Sequence, residues 1–145
     1  PGKGRSAYEL LDSFGRPGGV RALIVMGSNV AVASPHLNNV RRRLQSLDFL
    51  CVLDPFLNET AELADVVLPV LQWAEEDGTL TNLEGRVIRR RRAAVPPAGA
   101  RSDLWVMAEL ARRLGALGRF DYPDAEAVFD EFRRATAGGV ADYSG

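Results

Sequence analysis

The stretch that decides the fold is Leu50–Arg92, which reads LCVLDPFLNETAELADVVLPVLQWAEEDGTLTNLEGRVIRRRR. It contains two short apolar runs, the first ending at Asp54 and the second closed by Pro69. An acidic loop with a glycine at its end follows at residues 73–78. Ligands of α/β proteins bind beyond the carboxyl ends of parallel strands. The stretch therefore predicts two buried strands whose polar ends form one edge of a ligand crevice.

The residues upstream of this stretch predict a third strand and the helix that connects it. Ala22–Met26 is an uninterrupted apolar run of strand length, which is typical of a strand buried on both faces. Ser34 followed by Pro35 predicts a helix start, and apolar residues recur at helical spacing over 37–47. With the run at Phe49–Leu53, this pattern predicts a βαβ unit with parallel strands.

Capping and turn residues predict the remaining elements. They are a first helix between Ser6–Glu9 and Gly15, a short turn capped by Asn58, a strand at 66–68, two extended segments at 79–81 and 86–90, a helix capped by Ser102 or Asp103, and a last helix after Pro123-Asp124. The whole chain, residues 1–145, is predicted to be a single α/β domain.

Composition excludes several classes of function. The 18 basic and 19 acidic residues give a formal net charge of -1, so no global field favours nucleic acid. The single cysteine, Cys51, excludes an internal disulfide and a cysteine-rich metal site. The same cysteine count fits a reducing cytosol, so we expect a cytoplasmic location. We expect no membrane insertion, because no apolar run is long enough to span a bilayer and residues 1–5 do not open the apolar core of a signal peptide. Since residue 1 is not methionine, we also expect a piece of a longer chain.

The loop after the first strand is a candidate ligand site. Gly27 permits close approach to the backbone, and Ser28 and Asn29 offer hydrogen-bond donors and acceptors. The helix after them would direct its amides to the same place, which suits a phosphate or a carbonyl. The loop lacks the GxGxxG pattern of NAD-binding proteins, and ordinary turns between strand and helix use the same residue types. The residues alone leave the two interpretations balanced.

Asp54 is the second candidate. A carboxylate at a strand end in such a sheet commonly binds a ribose or the edge of a purine, and it can accept two parallel N–H groups of guanine. The alternative is a solvated aspartate or a cap beside Pro55.

The other polar residues are weaker candidates for a binding or catalytic site. Glu75, Glu76 and Asp77 resemble a metal or acid–base cluster, but adjacent loop carboxylates more often point apart. His36 and Cys51 are expected to be structural. The arginine run at 89–92, with Arg86 upstream, could meet phosphates or an acidic partner, and strand alternation would divide it between two faces.

Taken in order, seven motifs resemble the molybdopterin oxidoreductases, the superfamily of formate dehydrogenases, nitrate reductases and dimethyl sulfoxide reductases. They cover most of the chain: Met26-Gly27-Ser28-Asn29, Leu53-Asp54-Pro55, Asn58-Glu59-Thr60, Ala64–Pro69, Trp73–Gly78, Thr81–Arg86 and Arg101–Trp105. The segments around 120–122, 126–136 and 138–143 resemble the formate dehydrogenase and assimilatory nitrate reductase types. The resemblance implies a three-layer, Rossmann-like fold with a mostly parallel sheet and flanking helices. In the family, that domain is the third in chain order and holds the guanosine end of one molybdopterin guanine dinucleotide.

The resemblance also implies roles for single residues. Asn29 matches a cofactor-contacting asparagine, and Leu53-Asp54 match the strand-end pair that meets the guanosine. Asp103 matches a further cofactor-contacting aspartate. Glu76 stands where some members have a cofactor-contacting lysine, and an acid there would repel phosphate. With the loop residues Gly27 and Ser28, these form the predicted cofactor-binding set.

The family's redox chemistry takes place at a molybdenum or tungsten ion, and electrons leave through a 4Fe-4S cluster. The resemblance places the ligands of both in other domains, so we expect no catalytic or metal-ligating residue here and no turnover by this chain alone. Its expected partners are the other domains of the same catalytic subunit and, for the whole enzyme, an electron-transfer protein. The alternative is a cofactor-free scaffold domain like that of the large iron–sulfur subunit of respiratory NADH dehydrogenase.

Overall fold

The computed structural model describes residues 4–116, 118 and 120–144. Its helices are α1 (Ala7–Ser13), α2 (Val30–Ala33), α3 (Leu37–Leu44), α4 (Asp103–Arg113) and α5 (Ala125–Thr136), with a 3-10 turn at Ala61–Leu63. Its strands are β1 (Ala22–Met26), β2 (Phe49–Leu53), β3 (Val66–Leu68), β4 (Gly78–Thr81) and β5 (Val87–Arg90). By internal packing the chain divides into two compact units, Pro1–Val70 and Leu71–Gly145. The single-domain prediction stays a prediction.

The first unit is built on a three-stranded parallel sheet in the order β1-β2-β3. The register pairs Met26 with Leu53 and Leu53 with Leu68, so all three strands end at one edge. The predicted α/β class and the parallel strands are therefore confirmed. The predicted strand bounds agree with the observed ones because each strand is a continuous apolar run closed by a polar residue, glycine or proline.

One face of this sheet carries the core of the first unit. Val25, Leu50 and Val52 pack with Phe14 of the α1 end and with Val40 and Leu44 of α3 in a single buried cluster. The other face of β1 is open: Ile24 is 47 % exposed and Met26 is 41 % exposed. The prediction that β1 is buried on both faces is wrong for this chain, because the helices of the unit pack on the Val25 side.

Local capping explains the helix bounds. Ser6 and Glu9 form the predicted capping box at the start of α1, and Gly15 follows that helix with φ of 69°. The predicted helix start at Ser34-Pro35 is wrong. Ser34 is extended, as expected for a residue before proline, and it ends the short helix α2. Helix α3 begins instead at Leu37, after His36 in the left-handed conformation.

The second unit contains an antiparallel hairpin and two helices. Strands β4 and β5 pair with Thr79 opposite Arg89 and Thr81 opposite Val87, around a turn in which Gly85 has φ of 79°. Ser102 caps α4 by accepting a hydrogen bond from the Trp105 amide, which decides between the two predicted caps. No helix in the described part of the chain is both long and apolar enough to cross a membrane.

Candidate functional site: the carboxyl edge of the parallel sheet

The loops that follow β1 and β2 lie side by side. The Gly27 amide donates a hydrogen bond of 2.9 Å to the Leu53 carbonyl, which continues the β1–β2 pairing past the last residue of β1. Leu53 itself is buried at the end of β2. The structure thus brings five of the predicted residues together at one edge: Gly27, Ser28, Asn29, Leu53 and Asp54.

Gly27 has a backbone conformation that favours glycine. Its φ is +55°, in the left-handed region, and a Cβ placed on it would meet no atom within 4 Å. The glycine is therefore required by the turn and not by crowding inside this chain. The open space beside its Cα is where a ligand can approach the backbone.

Asp54 is buried, with 8 % of its surface exposed. Its Oδ1 accepts a hydrogen bond of 2.9 Å from the Phe56 amide, which closes a turn over Pro55. The solvated alternative is therefore wrong, while the local turn that it forms agrees with the capping alternative. No hydrogen bond to Oδ2 is made within the described part of the chain. That oxygen is left to accept N–H or O–H groups from a ligand.

Asn29 is held by two residues that sequence reasoning did not select. Its Nδ2 donates to Glu59 Oε2 at 2.6 Å, and its Oδ1 accepts from Thr60 Oγ1 at 2.8 Å. Thr60 is completely buried and its Oγ1 also accepts from the Ala31 amide at 2.9 Å. Both residues belong to the Asn58-Glu59-Thr60 motif, which was the available signal although it assigned them no binding role. The contacts tie the loop after β1 to the loop after β2.

Glu76 and Asp103 lie near each other in the second unit. Burial raises the pKa of Glu76, the charge of Asp103 raises it further, and Arg90 lowers it. Arg90 also donates to the Glu76 carbonyl at 2.8 Å. A cavity of about 360 Å³ lies beside Glu76 and is lined largely by apolar and aromatic side chains, among them Trp105 and Phe120. This environment disfavours a phosphate and suits a neutral, flat group.

The acidic loop does not gather its carboxylates. Glu75 accepts from the Gln72 amide at 2.8 Å, whereas Asp77 accepts from the Arg92 amide at 2.8 Å. The favoured interpretation, that these side chains point apart, is confirmed. Within residues 4–116, 118 and 120–144, no group of three or more His, Cys, Asp or Glu residues could hold a metal ion.

The remaining candidates have structural roles or separate partners. Burial raises the pKa of the Cys51 thiol, which makes it a poor nucleophile. The arginine run is divided as alternation predicts: Arg89 lies 3.4 Å from Glu126, while Arg90 turns to the Glu76 carbonyl.

Comparisons with known proteins agree on one family. The family model described as molybdopterin oxidoreductase matches residues 3–113. The assimilatory nitrate reductase catalytic subunit of Bacillus subtilis is 43 % identical over the whole chain, and the F420-dependent formate dehydrogenase subunit alpha of Methanocaldococcus jannaschii is 44 % identical over 94 % of it. The acetylene hydratase structure from Pelobacter acetylenicus aligns with a TM-score of 0.72 and 27 % identity, covering 82 % of this chain and 17 % of that one. The chain spans 20 % of the length of each of the two relatives.

Proposed function

Since this chain belongs to the molybdopterin oxidoreductase family, we propose that it holds the guanosine end of a molybdopterin guanine dinucleotide inside a larger oxidoreductase of the nitrate reductase or formate dehydrogenase type. The observation that carries this proposal is the meeting of Gly27, Asn29 and Asp54 at the carboxyl edge of the parallel sheet, made by the bond from the Gly27 amide to the Leu53 carbonyl. That edge is where α/β sheets bind ligands.

The residues at this edge fit a guanosine better than they fit a metal or a phosphate. Asp54 is buried and has one carboxylate oxygen left over, which matches the N–H groups of guanine or the hydroxyls of ribose. Gly27 leaves room for close approach. When bound, the cofactor supplies redox chemistry at its molybdenum or tungsten ion, while Asp54 and Asn29 bind and orient its nucleoside end.

The proposal includes a second contact with the cofactor, made by Glu76 and Asp103. Because burial and Asp103 raise the pKa of Glu76, this pair is unsuited to the pyrophosphate. We assign it to a neutral part of the cofactor. The electron-transfer partner, the 4Fe-4S cluster and the cytoplasmic location belong to the proposed whole enzyme.

Metal and nucleotide analysis of the full-length protein tests the proposal. We expect molybdenum or tungsten, and guanine nucleotide released by acid hydrolysis of the cofactor. The cofactor-free scaffold alternative predicts neither metal nor guanine. Their absence from a folded, full-length preparation supplied with the metals would refute the proposed function.

Asp54→Asn tests the assigned residue in that same protein. Asparagine can still accept from the Phe56 amide through its Oδ1, so the turn is kept. It replaces the free acceptor by a donor, and we expect guanine content to fall about tenfold or more, since a hydrogen bond to a charged group is worth roughly 1.5–3 kcal/mol. Asp48→Asn is the matched control, because Asp48 lies at the opposite end of β2 in an exposed ion pair with Arg21. Equal cofactor content in both variants would remove Asp54 from the site.

A further inference from the structure

We propose that Glu59 and Thr60 are positioning residues that lock the Asn29 amide, so that Asn29 offers a single N–H to a neutral acceptor atom of the bound nucleoside and not to a phosphate. The inference rests on the proposed function and deepens it. It assigns roles to two residues outside the predicted binding set, and it specifies the chemistry of the ligand atom that Asn29 meets.

Thr60 fixes which end of the Asn29 amide points inward. The Thr60 hydroxyl accepts from the Ala31 amide at 2.9 Å and has one hydrogen to donate, which goes to Asn29 Oδ1 at 2.8 Å. Because Thr60 is completely buried, an amide turned the other way would leave the Thr60 hydroxyl hydrogen without its acceptor. It would also place the Asn29 carbonyl oxygen against the Glu59 carboxylate, where neither oxygen can donate. The carbonyl end of Asn29 therefore faces the interior.

Glu59 then uses one of the two hydrogens on the other end. Asn29 Nδ2 donates to Glu59 Oε2 at 2.6 Å, and Glu59 is exposed. The bond lowers the pKa of Glu59, so its carboxylate is ionised at neutral pH. An NH₂ group has two hydrogens. One N–H of Asn29 thus remains for a ligand.

The charge of Glu59 decides what that N–H can bind. A phosphate accepting from Asn29 would lie within a few ångströms of the carboxylate, where two like charges repel even in a partly aqueous setting. Arg41 offsets this charge only weakly, since it lowers the Glu59 pKa less than the Asn29 bond does. A neutral carbonyl, ring nitrogen or hydroxyl avoids the repulsion.

Asn58 keeps the two positioning residues in place. Its Oδ1 accepts from the Thr60 and Ala61 amides, each at 3.0 Å, which fixes the turn that presents Glu59 and Thr60 to the neighbouring loop. If Asn58, Glu59 and Thr60 had a purely structural role and only joined the two loops, their mutation would lower stability. It would not change whether Asn29 binds guanosine or phosphate. The two roles are therefore separable by experiment.

The test follows the Asn29 side-chain amide of the 145-residue chain by ¹⁵N NMR, with guanosine and inorganic phosphate as separate probes. We expect guanosine to shift the Asn29 Nδ2 resonance in a saturable way and phosphate to leave it unchanged. Thr60→Val should weaken guanosine binding about tenfold, with Thr60→Ser restoring it to within about twofold, because serine keeps the hydroxyl. Glu59→Gln should allow phosphate to shift the resonance. Glu62→Gln, an exposed carboxylate three residues along, is the control and should behave as the unmodified chain does.

Each result decides between the two proposals. If phosphate shifts Asn29 and guanosine does not, the assignment of a neutral acceptor is overturned. If folded Thr60→Val binds guanosine as well as the unmodified chain does, and phosphate still leaves Asn29 unshifted in Glu59→Gln, the positioning roles are wrong and the proposed function is unaffected. If neither probe affects Asn29 or Asp54, this inference is overturned, whereas the proposed function is decided separately by the metal and guanine content of the full-length protein.

Discussion

Gly27 illustrates how one residue serves both the fold and the proposed site. Its left-handed φ of +55° makes the turn after β1, and the space beside it is open. Gly18 has φ of +69° and is equally open, but it precedes β1 and lies outside the candidate site. The two glycines therefore differ in location and not in local geometry.

Because Gly27 and Gly18 have the same local geometry, their alanine variants can be compared directly. Gly27→Ala and Gly18→Ala should each lower the free energy of unfolding by about 1–2 kcal/mol, the cost of holding an L-residue in the left-handed region. Only Gly27→Ala should also reduce the guanine content of the full-length protein, because its Cβ occupies the approach to the backbone. Urea titration and nucleotide analysis measure the two effects. Equal guanine content in both variants would contradict the role given to the open space.

Glu76 predicts a pH effect of definite sign. Its pKa in the folded state is raised, so the folded chain binds this proton more tightly than the unfolded chain does. Stability from this group is therefore present below the ordinary glutamate pKa and is lost as pH rises through the higher folded value. Glu76→Gln should stabilise the chain at pH 7, by less than about 1 kcal/mol because the site is partly exposed, and should give no gain at low pH. Thermal melts at low pH and at pH 7 test this prediction, with Glu84→Gln, in the exposed turn, as the control. A gain of the same size at both pH values would contradict the assignment.

Strand β1 shows how one element can have two unlike faces. Val25 points into the core of the first unit with 6 % of its surface exposed, while its neighbour Ile24 is 47 % exposed on the other face. The apolar sequence of the strand does not distinguish them. The difference comes from the helices, which pack on the Val25 face.

The alanine variant of Val25 should lose more stability than the alanine variant of Ile24, although isoleucine is the larger side chain. Val25→Ala should cost about 1.5–3 kcal/mol, the value for a fully buried valine, although it removes only two methyl groups. Ile24→Ala should cost less than about 1 kcal/mol in the 145-residue chain. Chemical denaturation of both variants gives the comparison. A larger loss for Ile24→Ala would mean that the second sheet face is covered.

At the scale of the whole chain, the composition and the exposed apolar residues of the parallel sheet act together. The formal net charge is -1 and the pI is about 5.9, so electrostatic repulsion between copies is small near neutrality. Ile24, Met26, Phe49 and Val66 are exposed apolar residues on neighbouring strands of the parallel sheet. Exposed patches of this kind promote association.

The 145-residue chain should therefore associate reversibly at high concentration, most strongly near pH 5.9 and less at pH 8, where its net negative charge is larger. Ile24→Lys combined with Met26→Lys should shift the equilibrium to the monomer. The matched control is Leu80→Lys with Ile88→Lys, which changes exposed apolar residues on the hairpin instead. Sedimentation velocity measures the effect. Equal association of all three proteins would exclude the sheet face as its cause.

The sequence by itself determined the elements and the family. The strands of the parallel sheet coincide with continuous apolar runs, the capping box of Ser6 and Glu9 begins α1, and Gly85 makes the hairpin turn. These features depend on a few adjacent residues, so they can be predicted from the local sequence. The order of the motifs was specific enough to indicate the molybdopterin oxidoreductases.

Only the tertiary structure decided which polar groups meet and which apolar ones are covered. Asn29 reaches Glu59 and Thr60 across thirty-odd residues of chain, Asp54 is buried, and β1 keeps one open face. Ser34 looked like a helix cap, but the extended conformation before Pro35 ends α2 and leaves α3 to begin at Leu37. Hydrogen-bond partners and burial depend on how distant segments are brought together. A local pattern does not contain that information.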